Sequence, residues 1–123
     1  MAASRNDMYQ LSQDPVFQNR VQAALILACV SVSIENSTTV PFHRERQTFA
    51  SQVLSSTTFQ TQTVTLFTNS ISTDPTIIAD ATVGGTVSLT TANRAAQAAL
   101  VTDAHIDGAI AAQFNDYFRT PSN

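Results

Sequence analysis

The stretch DPVFQNRVQAALILACVSVSIEN, residues 14–36, decides the fold. Between Val21 and Val30 only Gln22 is polar, so the segment enters a membrane, is cleaved off as a leader, or packs inside a protein. A secretory leader needs a basic start and an early apolar run, whereas the chain begins with a polar stretch of mixed charge. A spanning helix needs about 20 apolar residues, and serines interrupt this run before it reaches that length. We therefore expect a helix packed within the protein and no membrane segment.

The start of this helix is well marked. Asp14 can cap the free backbone N–H groups, and Pro15 occupies the first helical position, where its missing N–H costs nothing. Apolar residues then recur at helical spacing on two sides of the helix. One side carries Phe17, Val21, Ala24, Leu25, Ala28 and Val32. The other carries Val16, Ala23, Leu27, Val30 and Ile34. A helix that is apolar on two sides must be covered on both, so we expect the second cover to come from later helices or from a neighbouring copy.

The rest of the sequence predicts a mainly α-helical single domain, a small helical bundle with extended terminal arms. Two further helical segments follow, PFHRERQTFASQVL and FQTQTVTLFTNSI. The alternating threonines of the second segment would suit a strand, but the three-to-four spacing of its bulky residues favours a helix. Within residues 1–123 the expected parts are an N-terminal arm or short helix at 1–13, a helical core at 14–73, an insertion at 74–101, a C-terminal helix at 102–119 and a tail at 120–123.

The insertion contains a different pattern. Val83, Val87 and Leu89 alternate around a Gly-Gly dipeptide, which accepts the positive φ angles of a two-residue hairpin turn. We therefore expect a projecting β-hairpin near residues 82–90. An isolated hairpin is marginally stable in water, so this one should lie on its own domain or on a neighbour. Its three apolar residues are the first candidates for an interface.

The last helix begins with Thr102 as a candidate cap and two acidic residues near its positive end. An alanine-rich helix is expected just before it, at 92–101. The apolar stripe of the last helix consists of Ile106, Ile110, Phe114 and either Tyr117 or Phe118. Because they lie close to the chain end, Tyr117 and Phe118 are also candidate interface residues.

The composition points to a polar surface with little charge. The chain has six arginines, no lysine and nine carboxylates, with 12% charged residues and a pI near 5.0. Such a surface lacks the basic patch that binds nucleic acid through counterion release and the polybasic segment that binds anionic lipid. We expect no specific nucleic-acid binding and no membrane partner. Low charge also weakens repulsion between copies, which favours a homo-oligomer.

No stretch of the sequence predicts catalysis. The chain has no nucleophile elbow, phosphate-binding loop, His-Glu-x-x-His motif or cysteine pair. In the charged cluster His43-Arg44-Glu45-Arg46 the histidine and the glutamate lie two residues apart and point to different sides of a helix. The favoured interpretation is a solvated turn, or an interface where Arg44 or Arg46 pairs with a carboxylate of another subunit.

The remaining candidates for chemistry are equally weak. His105 and Asp107 have the same two-residue separation. The two histidines and an acid could meet in space, but their spacing matches no zinc signature. Cys29 lies in the apolar run and is expected to be a buried small hydrophobe. We therefore expect no enzymatic activity, no metal and no cofactor.

Four motifs occur in a familiar order: Asp14-Pro15-Val16-Phe17, His43-Arg44-Glu45-Arg46, Asp74-Pro75-Thr76-Ile77 and Asp103-Ala104-His105-Ile106-Asp107. This order resembles small, mainly helical proteins encoded among the head and neck genes of tailed bacteriophages. In that group an Asp-Pro-x-Phe helix start precedes a His-x-x-Arg segment, an Asn/Asp-Pro-Thr-Ile turn and a C-terminal helix with an acidic start. The segment 81–101 departs from the pattern and looks like an insertion.

The resemblance implies a non-enzymatic virion structural protein, present in many copies and assembled in the host bacterial cytoplasm. The first hypothesis is a head-tail connector or neck (adaptor) component, which forms a ring and contacts the portal and other head, neck or tail proteins. The second is a capsid decoration or cement protein, and the third is a soluble binding module. Copy number separates the first two. On the first hypothesis, Val87→Asp leaves the monomer folded but stops assembly.

Overall fold

The computed structural model describes residues 5–34 and 43–119. These residues form seven helices and no strand, so the mainly α-helical prediction is confirmed. The helices are α1 (Arg5–Gln13), α2 (Pro15–Ser33), α3 (His43–Ser55), α4 (Thr57–Ile71), α5 (Pro75–Ala81), α6 (Arg94–Ala98) and α7 (Asp103–Arg119).

The helix starts follow the capping residues in the sequence. The Asp14 carboxylate accepts a hydrogen bond of 2.8 Å from the backbone N–H of Phe17, which fixes the start of α2. Asp74 caps α5 in the same way, and Thr102 accepts a 3.2 Å bond from the N–H of His105 at the start of α7. Each cap satisfies an N–H that the helix itself leaves unpaired. The caps predicted at Asp14 and Thr102 are confirmed.

The core lies between α2, α3, α4 and α7. Phe49 of α3 is its central ring, with its centroid 6.4 Å from that of Phe67 on α4 and 5.4 Å from that of Phe114 on α7. The Phe114 ring meets both of the others edge to face, an arrangement that aromatic pairs favour. From α2, Phe17 and Leu25 enter this core and are fully buried.

The threonine-rich segment is a helix, as its three-to-four spacing predicted. Phe67 and Ile71 are buried on the inner side of α4, while Leu66 is half exposed on its outer side. Thr63 and Thr65 donate their hydroxyl protons to the carbonyl oxygens of Phe59 and Thr61, one turn earlier. These bonds satisfy the hydroxyls within the helix, so threonine is compatible with helix here.

The expected β-hairpin at 82–90 is wrong. The chain instead closes the end of α5 with a Schellman motif, in which the N–H of Val83 donates to Asp80 O (3.3 Å) and the N–H of Gly84 donates to Ala79 O (2.7 Å). Val83, with φ +51°, is the left-handed residue of this motif, and the glycine dipeptide after it also has positive φ angles, +71° and +91°. These angles reverse the chain after a helix and do not join two strands.

The part of the insertion after this turn is held against α1. The backbone N–H of Leu89 donates to Asp7 Oδ1 at 2.8 Å, and its carbonyl accepts from Asn6 Nδ2 at 2.9 Å. Two side chains of α1 therefore satisfy the backbone N–H and C=O of Leu89, which a partner strand would have paired in a hairpin. Of the two alternatives for 1–13, an arm or a short helix, residues 5–13 form the short helix. The expected insertion does not project from the protein, because its Leu89 is buried in the core. Of the expected terminal arms, 1–4 and 120–123 lie outside the described residues.

The alanine-rich helix before α7 is shorter than its composition indicates. The sequence suggested a helix over 92–101, and α6 covers only Arg94–Ala98. Residues on both sides of α6 adopt turns. Ala98 and Val101 are buried, so this short segment still contributes to the core.

Candidate assembly surface

The outer face of α2 consists of Val16, Ala23, Leu27, Val30 and Ile34, the second apolar set of the sequence. All five are exposed in the described structure; Leu27 keeps 67% and Ile34 71% of its surface accessible. The opposite side of the same helix is buried. The prediction of two apolar sides is thus confirmed, and the later helices cover only one of them within the described residues.

Polar contacts fix both edges of the outer face. On one edge, Gln22 Nε2 donates to Gln60 Oε1 of α4 at 3.0 Å. On the other edge, Arg20 donates to Ala98 O (3.0 Å) and Val101 O (2.6 Å) at the end of α6. Since successive residues of a helix are rotated by about 100°, these two side chains flank the outer face. Within residues 5–34 and 43–119, α2 is thus held on both flanks, and the strip between them is exposed.

The outer face carries no charge. Arg20 is the one charged residue between Pro15 and Ser33, and its guanidinium also pairs with Asp103 at 2.6 Å. The only formal charge on α2 is therefore held within the subunit. A contiguous apolar strip with polar edges is typical of a protein–protein contact.

The same helix is long and apolar enough to cross a membrane, with 19 residues and a mean hydropathy of 1.3 over its best window. Its inner side supplies Phe17, Val21 and Leu25 to the core, and all three are fully buried. Exposing every side of α2 to lipid would remove these side chains from the core. The inner side of α2 is therefore part of the core of the described structure.

The three apolar residues of the expected hairpin have different environments. Val83 is half exposed, Val87 is partly buried and Leu89 is fully buried in the core of its own subunit. Leu89 is therefore not available at an outer surface, because Asp7 and the surrounding core enclose it. Of the three, Val83 is the most accessible to a neighbour.

The two arginines of the charged cluster also differ. Arg44 is exposed at the start of α3. Arg46 is partly buried, and its guanidinium carbon lies 5.1 Å from the centroid of the Phe114 ring, in cation–π geometry. Arg46 thus contributes to packing within the subunit, while Arg44 stays a candidate for an interface. The side chains of Tyr117 and Phe118 lie outside the described residues.

One contact between side chains links α5 to α7. His105 Nδ1 lies 2.5 Å from Asp80 Oδ2, and the same carboxylate oxygen accepts the N–H of Thr102 at 3.2 Å. The sequence did not indicate this pair, because its members are far apart in the chain and follow no motif. The contact fixes the start of α7. Among the described residues no group of three or more His, Cys, Asp or Glu side chains is close enough to hold a metal.

Cys29 is buried on the inner side of α2. Burial raises the pKa of its thiol from 9.0 to about 11, because the apolar surroundings disfavour the thiolate. The thiol is therefore neutral at physiological pH and unsuited to nucleophilic chemistry.

Comparison of the chain with known protein families, curated proteins and solved structures finds no match.

Proposed function

We propose that this protein is a non-enzymatic virion structural protein of a tailed bacteriophage, a head-tail connector or neck component that works as an oligomeric ring. The observation that carries the proposal is the outer face of α2, which is uncharged and which no other described part of the chain covers. The order of the four sequence motifs supports the assignment to the head and neck of a virion.

The outer face suits a lasting contact between subunits. Exposed Leu, Ile and Val side chains gain about 25 cal/mol for each Å² of apolar surface removed from water. Contacts between permanently assembled subunits are larger and more apolar than transient ones. A strip without formal charge also loses no ion hydration when it is covered. Covering Leu27 and Ile34 therefore favours association.

The rest of the described surface agrees with close packing of copies. The chain has no lysine, and at least three of its six arginines, Arg20, Arg46 and Arg94, are engaged within the subunit. Weak repulsion between copies follows from this shortage of charge.

The test is electron microscopy of the purified protein combined with copy counting in particles. We expect closed rings from the wild-type chain, and in virions a few copies at one vertex. Leu27→Asp should abolish the rings, whereas Leu66→Asp on α4 is the matched control with an exposed leucine on another helix. Wild-type chains that stay single, or that never enter particles, would refute the proposal. Copies spread across the whole shell would instead identify a decoration protein.

A further inference from the structure

We propose that the outer face of α2 binds the same face of a second copy, with the two helices antiparallel about a two-fold axis. The inference rests on the proposed function in one respect, since it takes that surface as the assembly contact. It adds the partner, the orientation and the register, none of which follows from membership of a ring.

The first observation is the spacing along α2. Positions 16, 20, 23, 27, 30 and 34 are separated alternately by four and three residues. This is the seam of a coiled coil, in which side chains at two heptad positions face a partner helix. Five of the six positions are the residues of the outer face, and the sixth is Arg20.

The second observation is that this seam complements itself when one copy is reversed. In an antiparallel pair centred on position 25, residue 16 faces 34, residue 20 faces 30 and residue 23 faces 27. The bulky Leu27 then lies opposite the small Ala23 of the second copy, and Val16 lies opposite Ile34. Large side chains facing small ones give the interlocking that close packing needs. A parallel pair would place Leu27 against Leu27 and leave a gap between the two Ala23 residues.

The third observation concerns the one charged position. Arg20 would face Val30 of the second copy, and a free guanidinium there would be costly to bury. Its donors are already directed to Ala98 O, Val101 O and Asp103 within its own subunit. The side chain therefore presents its aliphatic stem to the seam.

The size of the contact sets its strength. The 19 residues of α2 span about 28 Å, and a strip about 10 Å wide offers on the order of 300 Å² per copy. Stable interfaces bury about 800 Å² per partner. We therefore expect this contact to be weak and concentration-dependent by itself, and to become effective when other contacts hold many copies together in a ring. Because a two-fold contact closes on itself, a ring needs a second, different contact.

Disulfide trapping tests the register. Ala23→Cys and Leu27→Cys are made separately in a Cys29→Ala background, and circular dichroism confirms that each is folded. The two are then mixed in a glutathione buffer and the products identified by mass spectrometry. We expect the mixed disulfide, which joins one Ala23→Cys chain to one Leu27→Cys chain, to exceed either homodimer severalfold. Homodimers of Leu27→Cys as the main product would instead indicate a parallel pair and overturn the proposal.

A charge swap gives a second test that needs no cysteine. Ala23→Glu and Leu27→Arg should each weaken dimerisation, and an equimolar mixture should restore it. In the heterodimer the introduced carboxylate lies opposite the introduced guanidinium, and one native contact between Ala23 and Leu27 is kept. A mixture no better than the single variants would contradict the register.

The outcomes separate this inference from the proposed function. Rings that form without the mixed disulfide refute the antiparallel contact and leave the connector proposal in place. Trapped dimers that never join a virion support the contact and refute the connector. Protein that remains monomeric at millimolar concentration refutes both.

Discussion

The outer face of α2 and the segment 82–90 raised the same question in the sequence, since the apolar side chains of each could be covered by the protein itself or by a neighbouring copy. The structure separates them. Leu27 extends into solvent from the regular helix α2, and Ile34 does so from the residue that caps its C-terminal end. In 82–90, Leu89 turns inward and both of its backbone groups bond to α1.

The difference shows what apolar spacing can and cannot indicate. In a helix the period of 3.6 residues fixes the side on which every residue lies, once the inner side is known. In 82–90 the alternation of valines and leucine did not show which side chains are buried, because the direction of the chain depends on how α5 ends. A helix end and a hairpin turn both accept glycine at positive φ, so the dipeptide alone did not distinguish them.

The largest expected difference in the free energy of unfolding comes from replacing a leucine by alanine in each of the two regions. Leu89→Ala should lower the free energy of unfolding by about 3 kcal/mol, because it leaves a cavity in the core. Leu27→Ala should change it by less than about 0.5 kcal/mol in the dilute monomer, because its side chain is already in water. Urea unfolding followed by circular dichroism measures both. Equal losses would mean that the two leucines have similar environments, against the structure.

The inner side of α2 can be probed by pH. Folding favours the protonated Cys29 thiol, so its stabilising contribution is complete below the unfolded pKa of 9.0 and is lost as the pH rises toward the folded value of about 11. We expect the free energy of unfolding to fall by roughly 2 kcal/mol across that range. Cys29→Ala is the control, because a protein without this thiol should not show the fall in the free energy of unfolding that comes from its ionisation.

Labelling with a thiol reagent compares the inner side of α2, at Cys29, with its outer face, at position 30. Wild-type Cys29 should resist labelling until the protein unfolds, because it is fully buried. Val30→Cys, in the Cys29→Ala background, places a thiol on the outer face and should react in the folded monomer. Rapid labelling of wild-type Cys29 would contradict the assignment of inner and outer sides.

The attachment of 82–90 to α1 gives a smaller effect. Asp7→Ala removes the acceptor for the buried N–H of Leu89 and should lower the free energy of unfolding by about 1–3 kcal/mol. Asn6→Ala, at an exposed neighbouring position, should cost less. Chemical unfolding of both variants measures the difference, and a harmless Asp7→Ala would show that 82–90 does not depend on this bond.

The smallest effect is expected at the end of α5. Val83 has φ +51°, a conformation that costs a β-branched residue about 1–2 kcal/mol. Val83→Gly should therefore raise the free energy of unfolding by about 0.5–1 kcal/mol, after the loss of backbone entropy in glycine is counted. Gly84→Ala at φ +71° should lower it by a similar amount, and no neighbouring atom lies close enough to an added Cβ to contribute. Thermal melting of both variants would show the opposite signs, and a destabilising Val83→Gly would contradict the Schellman assignment.

The sequence was sufficient for the long helices of the fold. Asp14 and Thr102 marked helix starts because capping is local chemistry, and the two sides of α2 followed from its period. The threonine-rich α4 was assigned correctly because the spacing of its bulky residues outweighed β propensity.

Contacts between segments that are far apart in the sequence could not be predicted from capping residues and apolar spacing. The bonds of Arg20 to the carbonyls after α6, of Asp7 to Leu89 and of His105 to Asp80 join residues with no common motif. They depend on how the helices pack, which local patterns do not specify. The second apolar side of α2 was therefore identified from the sequence as a set of residues, although the candidate interface residues were placed in other segments. Its polar edges became clear only in the fold.

The most direct test of the central claim is the mass of the protein in solution as a function of concentration, measured by sedimentation equilibrium. We expect the wild-type mass to rise above that of one chain with increasing concentration, Leu66→Asp to behave similarly, and Leu27→Asp to remain at 13.2 kDa throughout. If wild-type and Leu27→Asp proteins show the same mass at every concentration, the outer face of α2 is not where copies of this protein meet.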